Sequence, residues 1–131
     1  MKKSPARNVH LKKGPTKLLE EINSSIDIDK RLYREDIIGS VAHTKMLIKT
    51  KILNSKEGNK IIVSLNKILR DIQKGKVKFR KECEDIHMNI EYLLQKKIGP
   101  LAGKLHTARS RNDQVVTDFK LWIKKHSLNL D

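Results

Sequence analysis

Apolar residues along the chain recur at helical spacing. Ile61, Ile62, Leu65, Ile68, Leu69 and Ile72 fall at the i, i+3, i+4, i+7 positions of one helix face. This stripe predicts a helix that opens near Ser55 and closes at Gly75, where glycine accepts left-handed backbone cheaply. Ile86, Ile90, Leu93, Leu94 and Ile98 mark a second such face over 85–98, ended by Gly99-Pro100. Upstream, Ile37, Ile38, Val41, Ala42 and Met46 predict one side of a helix over 36–50. Leu18, Leu19 and Ile22 suggest a short helix from Thr16, broken at Asn23-Ser24-Ser25. Residues 76–80 read as a basic connector. The last helix opens at Ser110-Arg111-Asn112-Asp113, a Ser-x-x-Asp start able to cap its own free amides, and carries Val115, Phe119, Trp122 and Ile123. No stretch alternates with the period of a strand, so the predicted class is all-α.

The pattern also predicts three divisions: a basic, disordered arm over 1–15, a helical domain over 16–114, and the start of a long helix over 115–131. That last helix meets no Gly or Pro stop. Phe119, Trp122 and the Leu128-x-Leu130 pair need partners, and a bundle usually closes its last helix on its own core. The expectation is therefore the front part of something longer.

Composition narrows the classes. The chain has 131 residues, one domain's worth, and no apolar run approaches the roughly 20 residues of a membrane-spanning helix. The single Cys83 allows no internal disulfide, and no Cys/His cluster has zinc-ligand spacing, so neither a stapled scaffold nor a metal site is expected and a reducing cytoplasm fits best. The net charge of +14 is the footprint of nucleic-acid binders, which makes a small basic helical nucleic-acid-binding protein the alternative reading. Against it, Lys2, Lys3, Arg7, Lys12, Lys13 and Lys17 place much of the excess in residues 1–17, the remaining bases scatter over every helix, and an aromatic content of 4% offers few stacking platforms.

Residues 99–114 break the helical pattern as a long connector holding His106, Thr107, Arg109, Arg111 and Asn112. Free amides at a helix start beside two guanidinium groups suggest an anion site. The plainer reading makes Arg109 and Arg111 solvated and Ser110 and Asp113 caps.

The stretch Lys104-Leu-His-Thr-Ala-Arg-Ser-Arg-Asn-Asp-Gln-Val-Val-Thr-Asp118 closely resembles the signature of the argininosuccinate lyase family, within the fumarase/aspartase superfamily. Asn23-Ser-Ser-Ile-Asp-Ile-Asp29, Asp36-Ile-Ile-Gly-Ser40 and Glu84-Asp-Ile-His87 resemble three further family segments in the same order. The resemblance runs from Asn23 to Trp122. It implies an N-terminal helical lyase domain and β-elimination of argininosuccinate to arginine and fumarate in arginine biosynthesis. It implies no metal or organic cofactor, and assembly as a homotetramer. By position it implies that Ser25, Arg111 and Asn112 bind substrate and that Asp29 faces the cationic guanidinium end, with a cap as the plainer role for Ser25 and Asp29. His87 matches a family histidine and is placed in a supporting role; Cys83 reads as a passive thiol.

Departures matter as well. Family members usually begin Trp-Gly-Gly-Arg-Phe, where this chain has Asn8-Val-His-Leu11. The family's acid/base motifs and its central bundle would lie beyond Asp131, so no catalytic residue is assigned here and the chain alone is expected to be inactive.

Overall fold

The computed structural model describes residues 17–128. Among them the chain forms helices and no strand, as the apolar periodicity predicts: α1 (Lys17–Asn23), α2 (Ile26–Asp29), α3 (Tyr33–Lys49), α4 (Ser55–Gln73), α5 (Ile86–Ile98) and α6 (Arg111–Ser127). Shorter 3-10 turns occupy Lys30–Leu32, Lys81–Cys83 and Gly99–His106. The predicted arm and Leu130 lie outside the described residues.

Helix α4 is the element closest to its sequence signal. Asn54 caps it, its side chain accepting from the Glu57 amide at 2.8 Å. Ile61, Leu65 and Ile68 are buried, with Leu69 and Ile72 packed at their edge. They meet Ile37 and Leu47 of α3 and Ile86, Ile90 and Leu94 of α5 in one core, because α4 packs against both neighbours. Each such side chain contributes about 1.5–3 kcal/mol on burial. Asn54→Ala is expected to cost about 1 kcal/mol, read as a lower urea midpoint at unchanged m-value.

Three expectations change. The connector at 99–114 is largely helical: Gly99, at φ 63°, turns the chain, and the 3-10 segment that follows buries Ala102 and Leu105 against α5 and α4. Left-handed backbone at Gly99 ends α5 without ending helical structure.

Helix α3 turns inward a different side from the one its apolar residues mark. Ile37, Ser40, Thr44 and Leu47 are buried with Glu35 and Asp36, whereas Ile38 and Met46 are exposed. A buried face that is half polar escapes a pattern counting only apolar residues; Thr44 makes burial tolerable by donating to the Ser40 carbonyl at 2.8 Å.

Helix α6 goes further. It buries Gln114 and Asp118 against α3 while Val115, Phe119 and Ile123 stay exposed and Trp122 is half-buried. Docking of α6 is thus polar at its centre.

Candidate functional site

The start of α6 is pinned from several sides. Ser110 caps it, accepting from the Asn112 amide at 3.2 Å. Ala108 takes left-handed backbone at φ 57°, the Thr107 carbonyl accepts from His43 Nε2 at 2.8 Å, and Arg109 Nη1 donates to Ser40 Oγ at 3.1 Å. Arg109 is therefore half-buried and tied to α3 through Nη1, while its Nε and Nη2 carry no hydrogen bond. Its guanidinium leans into the interior, where burial lowers its pKa and the carboxylates of Asp36, Glu91 and Asp118 push the other way.

Arg111 sits at the surface of the same turn. Its Nη1 donates to Gln114 Oε1 at 3.1 Å and its Nη2 lies 3.1 Å from Glu91 Oε1, which also has His106 Nδ1 at 3.6 Å. The Asn112 side chain is exposed beside it.

Ser25 and Asp29 form a second corner. Ser25 Oγ donates to Asp29 Oδ2 at 2.6 Å, and Asp29 Oδ1 accepts from the Ile86 amide at 3.1 Å. Asp29 thus does serve as a cap, for α5, while Ser25 does not cap α2 with its side chain. Burial raises the Asp29 pKa, against the Ser25 hydrogen bond. The corner depends on an unusual backbone at Glu84, whose φ of 60° and ψ of −53° make a tight γ-turn closed by Asp85 N to Cys83 O at 2.6 Å. That turn aims the Glu84 carbonyl at the amides of Ser25 and Ile26, both at 2.9 Å.

Between the corners lies a buried charge cluster. His87 Nδ1 donates to Asp36 Oδ1 at 2.9 Å and lies 3.3 Å from Asp118 Oδ2. Gln114 Nε2 also donates to Asp36 Oδ1. Asp36, His87 and Asp118 are each at most 2% exposed. Gly39 lets α6 come this close, since a Cβ there would stand 3.2 Å from Asp118 Oδ1. The two acids are driven apart. Burial raises Asp36, but hydrogen bonds from His87, Asp118 and Gln114 outweigh it and hold its pKa below the usual range. Burial and the neighbouring Asp36 carboxylate push Asp118 up to about 9, so it is protonated at neutral pH.

Donor atoms of Asp36, His87 and Asp118 all lie within 4.8 Å of one another, the composition of a small divalent-cation site. The hydrogen bonds already on Asp36 and the nearby Arg109 charge instead close the cluster as a proton-sharing network. An open pocket of about 280 Å³ flanks it, lined among others by Gly39, His43, Arg109, Gln114 and Asp118.

Among the described residues no hydrogen bond or ion pair joins Ser25 or Asp29 directly to Arg111 or Asn112. They are connected through the core: Asp29 holds the first amide of α5, the next residue His87 holds Asp36, Asp36 holds Gln114, and Gln114 holds Arg111. Asp36 and Gln114 of this chain of contacts, and Glu91 and Asp118 beside it, carried no role in the sequence reading. The available signal was the i, i+4 spacing of Gln114, Asp118 and Trp122, which lie along one edge of the apolar stripe of α6.

A family model described as a lyase matches residues 11–130. The chain belongs to this lyase family. Its similarity to curated relatives is high and extends over most of its length. It is 55% identical over 118 residues to an argininosuccinate lyase of Ehrlichia chaffeensis, covering 90% of this chain and 25% of that protein. It is 53% identical over 125 residues to an argininosuccinate lyase of Pelagibacter ubique, covering 92% and 27%, and 53% over 112 residues to one of Bartonella bacilliformis, covering 86% and 24%. The chain therefore spans about a quarter of the length of these relatives. Among the described residues no helix is long and apolar enough to cross a membrane, and the all-helical architecture agrees with the lyase family.

Proposed function

We propose that this chain supplies substrate-binding groups to an argininosuccinate lyase, which splits argininosuccinate into arginine and fumarate by β-elimination in cytoplasmic arginine biosynthesis. The identity of 53–55% to argininosuccinate lyases over most of the chain carries this reading. The geometry supports it: an arginine and an amide side chain project from one capped helix start, where amides and dipole favour a carboxylate. Arg111 and Asn112 orient a substrate carboxylate, Ser25 adds a hydroxyl, and Asp29 faces the leaving guanidino group. The acid and base come from segments of the family that this chain does not match, in a homotetramer whose subunits share each site.

A chimera tests this directly. The matched segment of the Ehrlichia chaffeensis enzyme is replaced by this chain, and fumarate formation is followed by absorbance. The chimera is expected to keep activity within about tenfold of its parent, a loss of roughly 1.4 kcal/mol in transition-state binding. The 131-residue chain alone should form no fumarate. A folded, tetrameric chimera without activity, or turnover by the chain alone, would count against the assignment.

A further inference from the structure

We infer that Gln114 and Asp36 are positioning residues: a buried carboxylate fixes the orientation of the Gln114 amide, and the amide in turn fixes the guanidinium of Arg111. The inference rests on the reading of Arg111 as a carboxylate-binding group and deepens it.

Donor and acceptor chemistry fixes which way the Gln114 amide faces. An ionised carboxylate can only accept, so the amide of Gln114 must turn its NH2 toward Asp36. Its Oε1 is then obliged to face the other way, and it meets Arg111 Nη1 at 3.1 Å. Were the amide reversed, Asp36 would face a carbonyl and Arg111 would face an NH2, both repulsive. Asp36 is itself held by His87 Nδ1 at 2.9 Å and stays ionised for the reasons given above. One amide thus converts a buried negative charge into a directed acceptor at the surface, three residues along the helix from Gln114.

Glu91 completes the hold. It lies 3.1 Å from Arg111 Nη2, so the guanidinium is gripped on two nitrogens by groups from α5 and α6. Glu91 Oε1 makes an ion pair with Arg111 but no hydrogen bond, whereas Gln114 is buried and hydrogen-bonded to it. The buried partner therefore sets direction. A guanidinium preorganised this way spends little rotamer entropy when a carboxylate binds, and an arginine left free spends more.

The 15N-labelled 131-residue chain provides the test. NMR of the Arg111 Nε–Hε group reports its order, and a fumarate titration reports carboxylate binding. Gln114→Met keeps volume and removes both hydrogen bonds. Asp36→Asn keeps shape but lets the amide of Gln114 turn either way. Both variants are expected to raise Arg111 side-chain mobility and to weaken fumarate binding about tenfold, the effect of one charge-assisted hydrogen bond. Glu91→Gln, which keeps an acceptor, is expected to weaken it less. Circular dichroism and the amide spectrum establish that each variant is folded; if Asp36→Asn is not, Gln114→Met decides alone. Unchanged Arg111 order in folded Gln114→Met overturns the inference whatever fumarate does. Separately, if Arg111→Ala in the chimera leaves the KM for argininosuccinate unchanged, the carboxylate role of Arg111 fails, while its side-chain order in the 131-residue chain still decides the positioning.

Discussion

His87→Ala is expected to cost about 3–5 kcal/mol of folding stability, a large part of the roughly 5–15 kcal/mol that a domain of this size has. The imidazole removed is 2% exposed and supplies the Nδ1 hydrogen bond to Asp36, with Asp118 at 3.3 Å. Without it, two buried carboxyl groups face a cavity with one fewer donor between them. Most of the loss is this desolvation rather than lost packing. His87→Asn separates the two causes, because an asparagine amide nitrogen can stand near the position of Nδ1. It is expected to recover about half of the loss in urea unfolding. Equal losses in both variants would mean that ring volume, not hydrogen bonding, is what His87 provides.

The second large effect is in pH dependence. The carboxyl of Asp118 is pushed up to about 9 in the folded chain, while in the unfolded chain it titrates near the ordinary value of about 4. Between these limits the native state binds more protons than the unfolded state, so the contribution of Asp118 to stability is full below about pH 4 and is lost as pH rises toward 9. Asp36 has the opposite sign: its folded pKa is lowered, so its contribution holds above about pH 4 and is lost in acid. Asp118→Asn removes the first dependence and leaves the second. The variant is expected to be more stable than the wild type at pH 8 by about 1–3 kcal/mol, with the advantage shrinking toward pH 5. Thermal or urea unfolding across pH 5–9 measures it. A constant difference between the two proteins over that range would show that Asp118 is ionised in the folded state.

The second effect arises from residues whose role was not legible along the chain, and α3 and α6 show why. The α4 stripe is apolar throughout, so sequence periodicity and buried face coincide at Ile61, Leu65 and Ile68. On α6 the apolar residues Val115, Phe119 and Ile123 stay exposed while Gln114 and Asp118 are buried. Burial of a charged or amide side chain is favourable only when particular partners surround it. The decisive partners, Asp36 and His87, are distant in sequence from α6, and no local window contains them. Asp29 illustrates the same limit: whether it is a cap or a ligand depends on where Ile86 lies, 57 residues away. The signature stretch itself was readable, because a capped helix start and an arginine beside it are local facts.

The sequence by itself determined the helical class, the core faces of α4 and α5, the capped start of α6 and the lyase resemblance, since each follows from spacing within a few turns or from colinear motifs. Only the tertiary structure decided that Arg109 turns inward while Arg111 stays at the surface, that Asp36 and Asp118 share one buried histidine, and that Gln114 links them to Arg111. Those outcomes depend on which helices come within hydrogen-bond distance, and on a low-dielectric interior that makes a paired charge tolerable and an unpaired one costly.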